Sequence, residues 1–214
     1  MKSYVVVGLG RFGSEVARQL YLQGCEVLAM DMSSELVQQV SPDVTHAVVA
    51  DGRDKEVLKA LGVRNFDCGI VAIGDDLAAS VLATMNLKEL GLSYVVCKAH
   101  DDTHRKVLEK LGADRVVIPE QENAARLAKS LSTPNVLEYI ELSEEFGIME
   151  IEPRDSWIGK TIRTLELRSR YGANVIALRR GEKISIPPDI DAPLDSDCAL
   201  VILGSYEALE KMKS

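Results

Sequence analysis

The stretch YVVVGLGRFGSEVARQL, residues 4–20, decides the fold of the first part of this chain. An apolar run leads into the pattern Gly8-x-Gly10-x-x-Gly13, and residues with helical spacing follow. Gly8 permits a tight turn, Gly10 lets the backbone approach a phosphate, and Gly13 allows the helix to pack closely on the strand. The stretch therefore predicts a strand, a turn and a helix whose first amides face an anion.

Two charged residues refine this prediction. Asp31 lies 18 residues after Gly13, at the end of the apolar stretch EVLAMD (26–31). A carboxylate there accepts hydrogen bonds from a ribose diol and repels a 2′-phosphate, which disfavours NADP. Arg11 lies inside the turn, and its guanidinium can pair with additional phosphate oxygens, which favours ATP or ADP over NAD. Two alternatives stay open: a turn kept only for packing, and an Arg11 that is merely exposed.

Apolar stretches alternate with amphipathic segments along the first 120 residues. Because continuously apolar strands separated by helices form a parallel sheet covered on both faces, the pattern predicts a doubly wound α/β fold. The predicted strands are SYVVVG (3–8), EVLAMD (26–31), HAVVAD (46–51), GIVAIG (69–74), YVVCKA (94–99) and DRVVIPE (114–120).

The rest of the chain predicts a connector and a small second domain. ENAARLAKSL (122–131) has helical spacing, STPN (132–135) predicts a turn with Pro134 at the start of a helix, and VLEYIEL (136–142) resumes helical spacing. A small α+β domain follows, with strands at 147–152, 174–181, 183–188 and 198–204 and helices at about 157–168 and 206–213. We therefore divide the chain into 1–121, 122–142 and 143–214.

Composition excludes several classes of protein. The net charge of −8 argues against nucleic-acid binding, because phosphate backbones are held mainly by Lys and Arg. No apolar run reaches the roughly 18 residues that span a bilayer, and MKSYVVVGLG does not resemble a signal peptide, so we expect a cytoplasmic protein. The four cysteines lack CxxC spacing, which predicts reduced core thiols rather than zinc ligands or disulfides. They are Cys25, Cys68, Cys97 and Cys198.

The sequence offers little evidence of catalysis. His46 opens a predicted strand, while His100 and His104 have the i, i+4 spacing of a metal-binding pair. We expect the latter two at solvent or interface positions instead. Fewer than 80 residues follow the connector, too few for most substrate domains, and no GxSxG or HExxH motif is present. We expect a binding module and not an enzyme, with a small NAD-dependent oxidoreductase or an NADH/NAD redox sensor as alternatives.

With these features in view, the chain resembles the RCK (KTN/TrkA) family, most closely its KtrA-type cytosolic subunits that regulate bacterial potassium uptake. The resemblance rests on GLGRFG (8–13), LEKLGADRVVIPE (108–120) and RYGANVIALRRG (170–181), and it covers nearly the whole chain. It implies an RCK_N domain that binds ATP, ADP or NAD(H), followed by an RCK_C domain. It also implies homodimers that assemble into a ring, an octamer, on a membrane potassium-translocating subunit at the inner face of the membrane.

The resemblance also assigns residues in the first domain. Gly8, Gly10, Arg11, Phe12 and Gly13 would contact phosphates, and Asp31 the ribose. Asp51 would lie beside the adenosine and Lys98 would face the phosphates, as expected for residues at the carboxyl ends of parallel strands. Glu120 would hold Mg²⁺ or Ca²⁺ beside the nucleotide at a dimer interface. From the residues alone, solvent exposure of Asp51 and Lys98 and a favourable helix N-terminal position for Glu120 stay open.

The second domain contains a group of arginines that a solvated or salt-bridged face would also explain. They are Arg163, Arg168, Arg170, Arg179 and Arg180. Some RCK_C domains of this type bind cyclic di-AMP at a dimer interface. By resemblance its polar contacts would be Arg168 and Asn174, and its apolar contacts Ile162, Val175 and Pro187 or Pro188.

Overall fold

The computed structural model describes residues 1–132, 136–143 and 145–212. The chain divides into two compact units, Met1–Glu120 and Gln121–Ser214. The predicted turn at Pro134 lies outside the described residues. Among the helices that are described, none combines the length and the apolar character needed to cross a bilayer.

The first unit is built on a parallel sheet with strand order β3-β2-β1-β4-β5-β6. This order reverses between β1 and β4, which defines a doubly wound sheet and confirms the predicted fold class. The strands are β1 (Ser3–Val7), β2 (Glu26–Asp31), β3 (His46–Val49), β4 (Cys68–Val71), β5 (Val95–Lys98) and β6 (Arg115–Val117). The helices are α1 (Arg11–Leu22), α2 (Ser34–Val40), α3 (Lys55–Ala60), α4 (Leu77–Glu89) and α5 (Asp102–Lys110).

Alternation of side chains along the strands gives this unit a core on each face of the sheet. Val5 and Val7 of β1 pack in one core with Leu87 of α4 and Leu108 of α5. Val6 packs in the other core with residues of α1 and α2. Because both faces of the sheet are covered, most strand residues are apolar. The strands run parallel, so the carboxyl ends of β1, β2 and β3 lie on the same edge of the sheet.

The second unit contains an antiparallel sheet with strand order β10-β9-β11-β8-β7, so its α+β character is also confirmed. Its core includes Met149, Leu178, Leu200 and Leu209. Helix α6 (Pro119–Ser132) runs from the end of the first unit into this one. The strands are β7 (Val136–Glu141), β8 (Phe146–Ile151), β9 (Asn174–Arg180), β10 (Lys183–Ser185) and β11 (Cys198–Ser205), and the helices are α7 (Ile162–Leu165), α8 (Leu167–Tyr171) and α9 (Tyr206–Lys211).

Three predictions of secondary structure are wrong in this unit. VLEYIEL is not helical: it forms β7, which pairs with β8, and Tyr139 stacks on Tyr206 with ring centroids 5.9 Å apart. The helix expected at 157–168 is replaced by a 3-10 turn, α7 and α8, because Gly159 and Glu166 have positive φ angles of 79° and 49°. The strand expected over 183–188 ends at Ser185, two residues before Pro187, which lacks the amide that a sheet requires.

Candidate functional site

Two of the three glycines in the first turn are required by the fold itself. Gly8 has a φ of +95°, and a Cβ there would lie 3.2 Å from the backbone carbon of Ala72. A Cβ on Gly13 would lie 1.9 Å from the carbonyl oxygen of Gly8, closer than any real contact. Helix α1 can therefore approach the end of β1 only because these residues have no side chain.

Gly10 has a different environment. A Cβ on this residue would meet nothing within 4 Å, and its φ of −62° is available to any residue. It is the residue before α1, and within the described part of the chain no side chain caps this helix. By contrast, α2, α3, α4 and α5 are each capped by the side chain of a Ser or Asp. The head of α1 thus combines free space with amides suited to an anion.

Asp31 fixes the glycine turn to the end of β2. Its Oδ2 accepts a hydrogen bond from the amide of Leu9 at 2.7 Å, and its Oδ1 accepts one from the amide of Ser33 at 2.8 Å. Each carboxylate oxygen has a second lone pair, so the same group can still accept a bond from a ribose hydroxyl. The sequence predicted the ligand role of Asp31 but missed this structural one.

A cleft of about 200 Å³ opens where β1, β2 and β3 end. It brings together Gly8, Asp31 and Asp51, three of the predicted residues, with Met32 and Arg53. Asp51 is held by Arg53: Nε donates to Oδ1 at 2.9 Å and Nη2 to Oδ2 at 2.8 Å. These hydrogen bonds lower the pKa of Asp51, so it stays ionised. Sequence reasoning missed Arg53, although its position two residues after Asp51 in DGRD was a usable signal.

Lys98 and Glu120 form a second group with Phe12. Lys98 Nζ donates to Glu120 Oε1 at 2.8 Å and lies 6.0 Å from the centre of the Phe12 ring. The bond from Lys98 lowers the pKa of Glu120. Phe12 and Lys98 do not line the cleft that contains Asp31. No three His, Cys, Asp or Glu residues of the described chain are grouped as metal ligands, so Glu120 would need ligands from elsewhere.

Arg11 is the first residue of α1 and is exposed to solvent. Within the described residues its guanidinium has neither an ion pair nor a hydrogen-bond partner. A cation at a helix N-terminus is unfavourable by about 0.3 kcal/mol or more unless an anion compensates it. The position of Arg11 therefore suits a side chain that binds phosphate.

The expectation of an exposed or interfacial His104 is wrong. His104 is buried in the first unit, with Nε2 3.2 Å from Ser80 Oγ, and Nδ1 accepts a hydrogen bond from the amide of His100 at 3.2 Å. Desolvation lowers the pKa of His104 and keeps its ring neutral. The signal was its spacing, because residues 104, 108 and 111 lie on the apolar face of α5 and the turn that follows it.

The four cysteines are free thiols, and burial raises the pKa of Cys68, Cys97 and Cys198. Cys68, Cys97 and Cys198 are buried, and Cys25 is half-buried. Burial raises the pKa of Cys68 and that of Cys97 to about 11, so both thiols stay protonated at neutral pH.

In the second unit, several arginines are neutralised by acidic partners. Arg163 Nε donates to Asp191 at 2.6 Å, Arg180 Nε donates to Asp195 at 3.0 Å, and Arg179 pairs with Glu150. Arg168 is exposed and, among the described residues, has no ion pair.

The predicted effector residues occupy α7, α8, β9 and the segment after β10. Arg168, Asn174 and Pro187 are exposed, while Ile162 and Val175 are half-buried against the core. Both predicted polar contacts, Arg168 and Asn174, are therefore accessible to a ligand.

Comparison with protein families matches both units in order. The TrkA-N domain matches residues 4–119, and the TrkA-C domain matches residues 148–214. The Ktr system potassium uptake protein C of Bacillus subtilis is 41% identical over 212 residues, which cover 99% of this chain and 96% of that protein. The Ktr system potassium uptake protein A of the same organism is 40% identical over 214 residues, which cover 100% of this chain and 96% of that protein.

Solved structures agree on the fold. The GsuK channel bound to NAD matches with a TM-score of 0.70 and 17% identity, over 100% of this chain and 39% of that longer chain. The Kef carboxyl-terminal domain of Shewanella denitrificans in its AMP-bound form matches with a TM-score of 0.53 and 25% identity, over 61% of this chain and 80% of that one.

These matches confirm the resemblance drawn from the glycine turn and the motifs of the second unit. The chain belongs to the RCK (KTN/TrkA) family, in which a TrkA-N domain is joined to a TrkA-C domain, and it is similar to the Ktr potassium uptake proteins A and C.

Proposed function

We propose that this chain is the nucleotide-binding regulatory subunit of a potassium uptake system. In this role it binds ATP or ADP in the first unit and controls a membrane potassium-translocating partner from the cytoplasmic face. The observation that carries the proposal is Gly10: no described residue requires a glycine there, yet Gly10 leaves the uncapped head of α1 open. A phosphate group would use that space and those amides.

The ligand's parts are assigned to named residues. The phosphates lie over Gly8, Gly10, Phe12 and Gly13, with Arg11 reaching the terminal phosphate and Lys98 facing the group from β5. Asp31 holds the ribose, and Asp51 lies beside the adenosine. The AMP-bound relative supports an adenine nucleotide in this fold. Glu120 contributes one oxygen ligand to Mg²⁺ or Ca²⁺, the remaining ligands coming from the nucleotide and a second copy of the chain.

Control of transport follows from a difference in affinity between two states. A ring of homodimers, an octamer by family resemblance, changes the angle between its protomers when ATP replaces ADP. Such a change requires that the extra phosphate bind one state more tightly than the other. Arg11, which has no ion pair with any described residue, is the group that can distinguish the two states. Cyclic di-AMP is the proposed second effector, held by Arg168 and Asn174 with Ile162, Val175 and Pro187.

Calorimetric titration of the purified chain with ATP, ADP, AMP, NAD and NADH tests the proposal. We expect ATP and ADP to bind, with ATP preferred. Arg11→Ala removes a guanidinium–phosphate pair of about 1.5–3 kcal/mol, so the ATP preference should fall about tenfold or more while the chain stays folded. Arg18→Lys, farther along α1, is the control and should leave the preference unchanged. Absence of heat with every adenosine compound would overturn the proposal, and equal ATP and ADP effects on potassium uptake would overturn the control mechanism.

A further inference from the structure

Arg53 lines the cleft, but neither the family relationship nor the proposed function assigns it a role. Its guanidinium is fixed on one edge, because Nε and Nη2 both donate to the Asp51 carboxylate at 2.9 and 2.8 Å. The amide of Arg53 also donates to Asp51 Oδ1 at 2.9 Å, and its carbonyl accepts a bond from Asn86 at 2.7 Å. The side chain nevertheless stays 40% exposed. The guanidinium is thus bound along one edge by Asp51, while much of the side chain is open to solvent.

The order of the strands places Arg53 where the base of a nucleotide would lie. Phosphates belong at the head of α1, which follows β1, and the ribose belongs at Asp31, which ends β2. Strands lie about 4.8 Å apart, so one further step along the sheet edge leads from the sugar to the end of β3. Arg53 follows β3, lines the cleft with Asp31, and its Nη2 lies 3.5 Å from the sulfur of Met32.

We infer that Arg53, locked by Asp51, is the platform on which the adenine ring stacks. A guanidinium plane stacks on a π face, while an apolar residue of the cleft such as Ile73 contacts the other side of the ring. This inference rests on the proposed function, because it assigns the base subsite of the same ligand. It separates two recognition elements: Arg11 distinguishes the number of phosphates, and Arg53 holds the base that all adenine nucleotides share.

Arg53→Lys is the decisive variant. Arg53→Lys keeps the positive charge and can still pair with Asp51, but it has no plane. A role in attracting phosphate through charge alone would survive this change, whereas stacking would not. Arg18→Ala is the matched control, since Arg18 makes a 2.9 Å ion pair with Asp43 outside the cleft.

The experiment is calorimetric titration of the wild-type chain and of the Arg53→Lys, Arg53→Ala and Arg18→Ala variants with ADP and with ATP, together with their thermal midpoints without ligand. We expect Arg53→Ala and Arg53→Lys each to weaken both nucleotides about tenfold with an unchanged ATP to ADP ratio. Arg18→Ala should bind like the wild type.

Wild-type affinity in Arg53→Lys, or a changed ATP to ADP ratio in either variant, would overturn the stacking role while leaving the proposed function intact. If Arg53→Ala loses its folded structure, the lysine variant decides. A wild-type chain that binds neither nucleotide would overturn both proposals.

Discussion

At the scale of single residues, Gly10 and Gly13 belong to the same turn, but packing requires a glycine at only one of the two positions. Gly13 is required by packing, since a Cβ there would overlap the carbonyl oxygen of Gly8 at 1.9 Å. Gly10 has no such role, because none of the residues that the structure describes would come within 4 Å of a Cβ there. A pair of alanine substitutions therefore separates folding from ligand binding within four residues.

Gly10→Ala should change the free energy of unfolding by no more than about 0.5 kcal/mol, because its φ and its surroundings accept a methyl group. The same methyl group would stand between the amides and a phosphate, so ADP affinity should fall about tenfold or more. Gly13→Ala should instead lower the free energy of unfolding by about 3 kcal/mol, because backbone atoms must move apart. Chemical denaturation and ADP titration measure the two effects, and a stable Gly13→Ala chain would contradict the packing argument.

At the scale of elements, α5 contains a titratable group whose burial the sequence analysis missed. His104 Nδ1 accepts a bond from the amide of His100, so protonation of that nitrogen would break the bond and place a charge beside Ser80. Desolvation lowers the pKa of His104, Asp101 opposes this effect, and His100 adds to it. The unfolded chain therefore binds a proton at higher pH than the folded chain.

The free energy of unfolding should thus be constant with respect to His104 above about pH 6.5 and should fall as the pH decreases toward the lower folded value. His104→Gln removes the titration, so the difference in unfolding free energy between pH 7 and pH 5 should be smaller in the variant. Urea titrations at the two pH values measure it. Parallel pH profiles would contradict the assignment. Asp101, whose pKa is lowered by the amide of His104, titrates in a separate window below its ordinary value of 3.8.

The elements that sequence predicted well are those whose signals are local. The strands of the first unit are continuous apolar runs, and α1 follows directly from its glycines. The helix prediction for VLEYIEL was wrong because residues 136, 139 and 140 fit a helical face. The strand forms by pairing with β8, and periodicity cannot reveal that partner. His104 was missed partly for the same reason, because its partner Ser80 lies 24 residues away and only the fold brings the two together. Arg53 was missed although its partner Asp51 lies only two residues before it.

At the scale of the whole molecule, each unit has a hydrophobic core of its own. Chains with independent cores unfold in more than one cooperative step. The residues that we propose bind the nucleotide lie within residues 1–120, whereas the proposed effector residues lie in the second unit. A nucleotide should therefore stabilise one unfolding step and not the other.

Scanning calorimetry of the full chain should therefore show two transitions. ADP at 100 times its dissociation constant contributes about 2.7 kcal/mol, which should raise one midpoint by about 10 °C and leave the second where it was. Cyclic di-AMP, if it binds as proposed, should raise the other. A single transition, or an equal shift of both by ADP, would contradict independent cores.

The two hydrogen bonds that Asp31 accepts from the amides of Leu9 and Ser33 affect how fast a ligand can bind. Both bonds lie within the chain, so the protein itself holds the turn that we propose as the phosphate site, and capture should require no ordering of that turn. We expect association close to the rate set by diffusion and docking, and occupancy that follows the cell's adenylate pool without delay. A sensor built this way would report the present energy state of the cell rather than an average over its recent past.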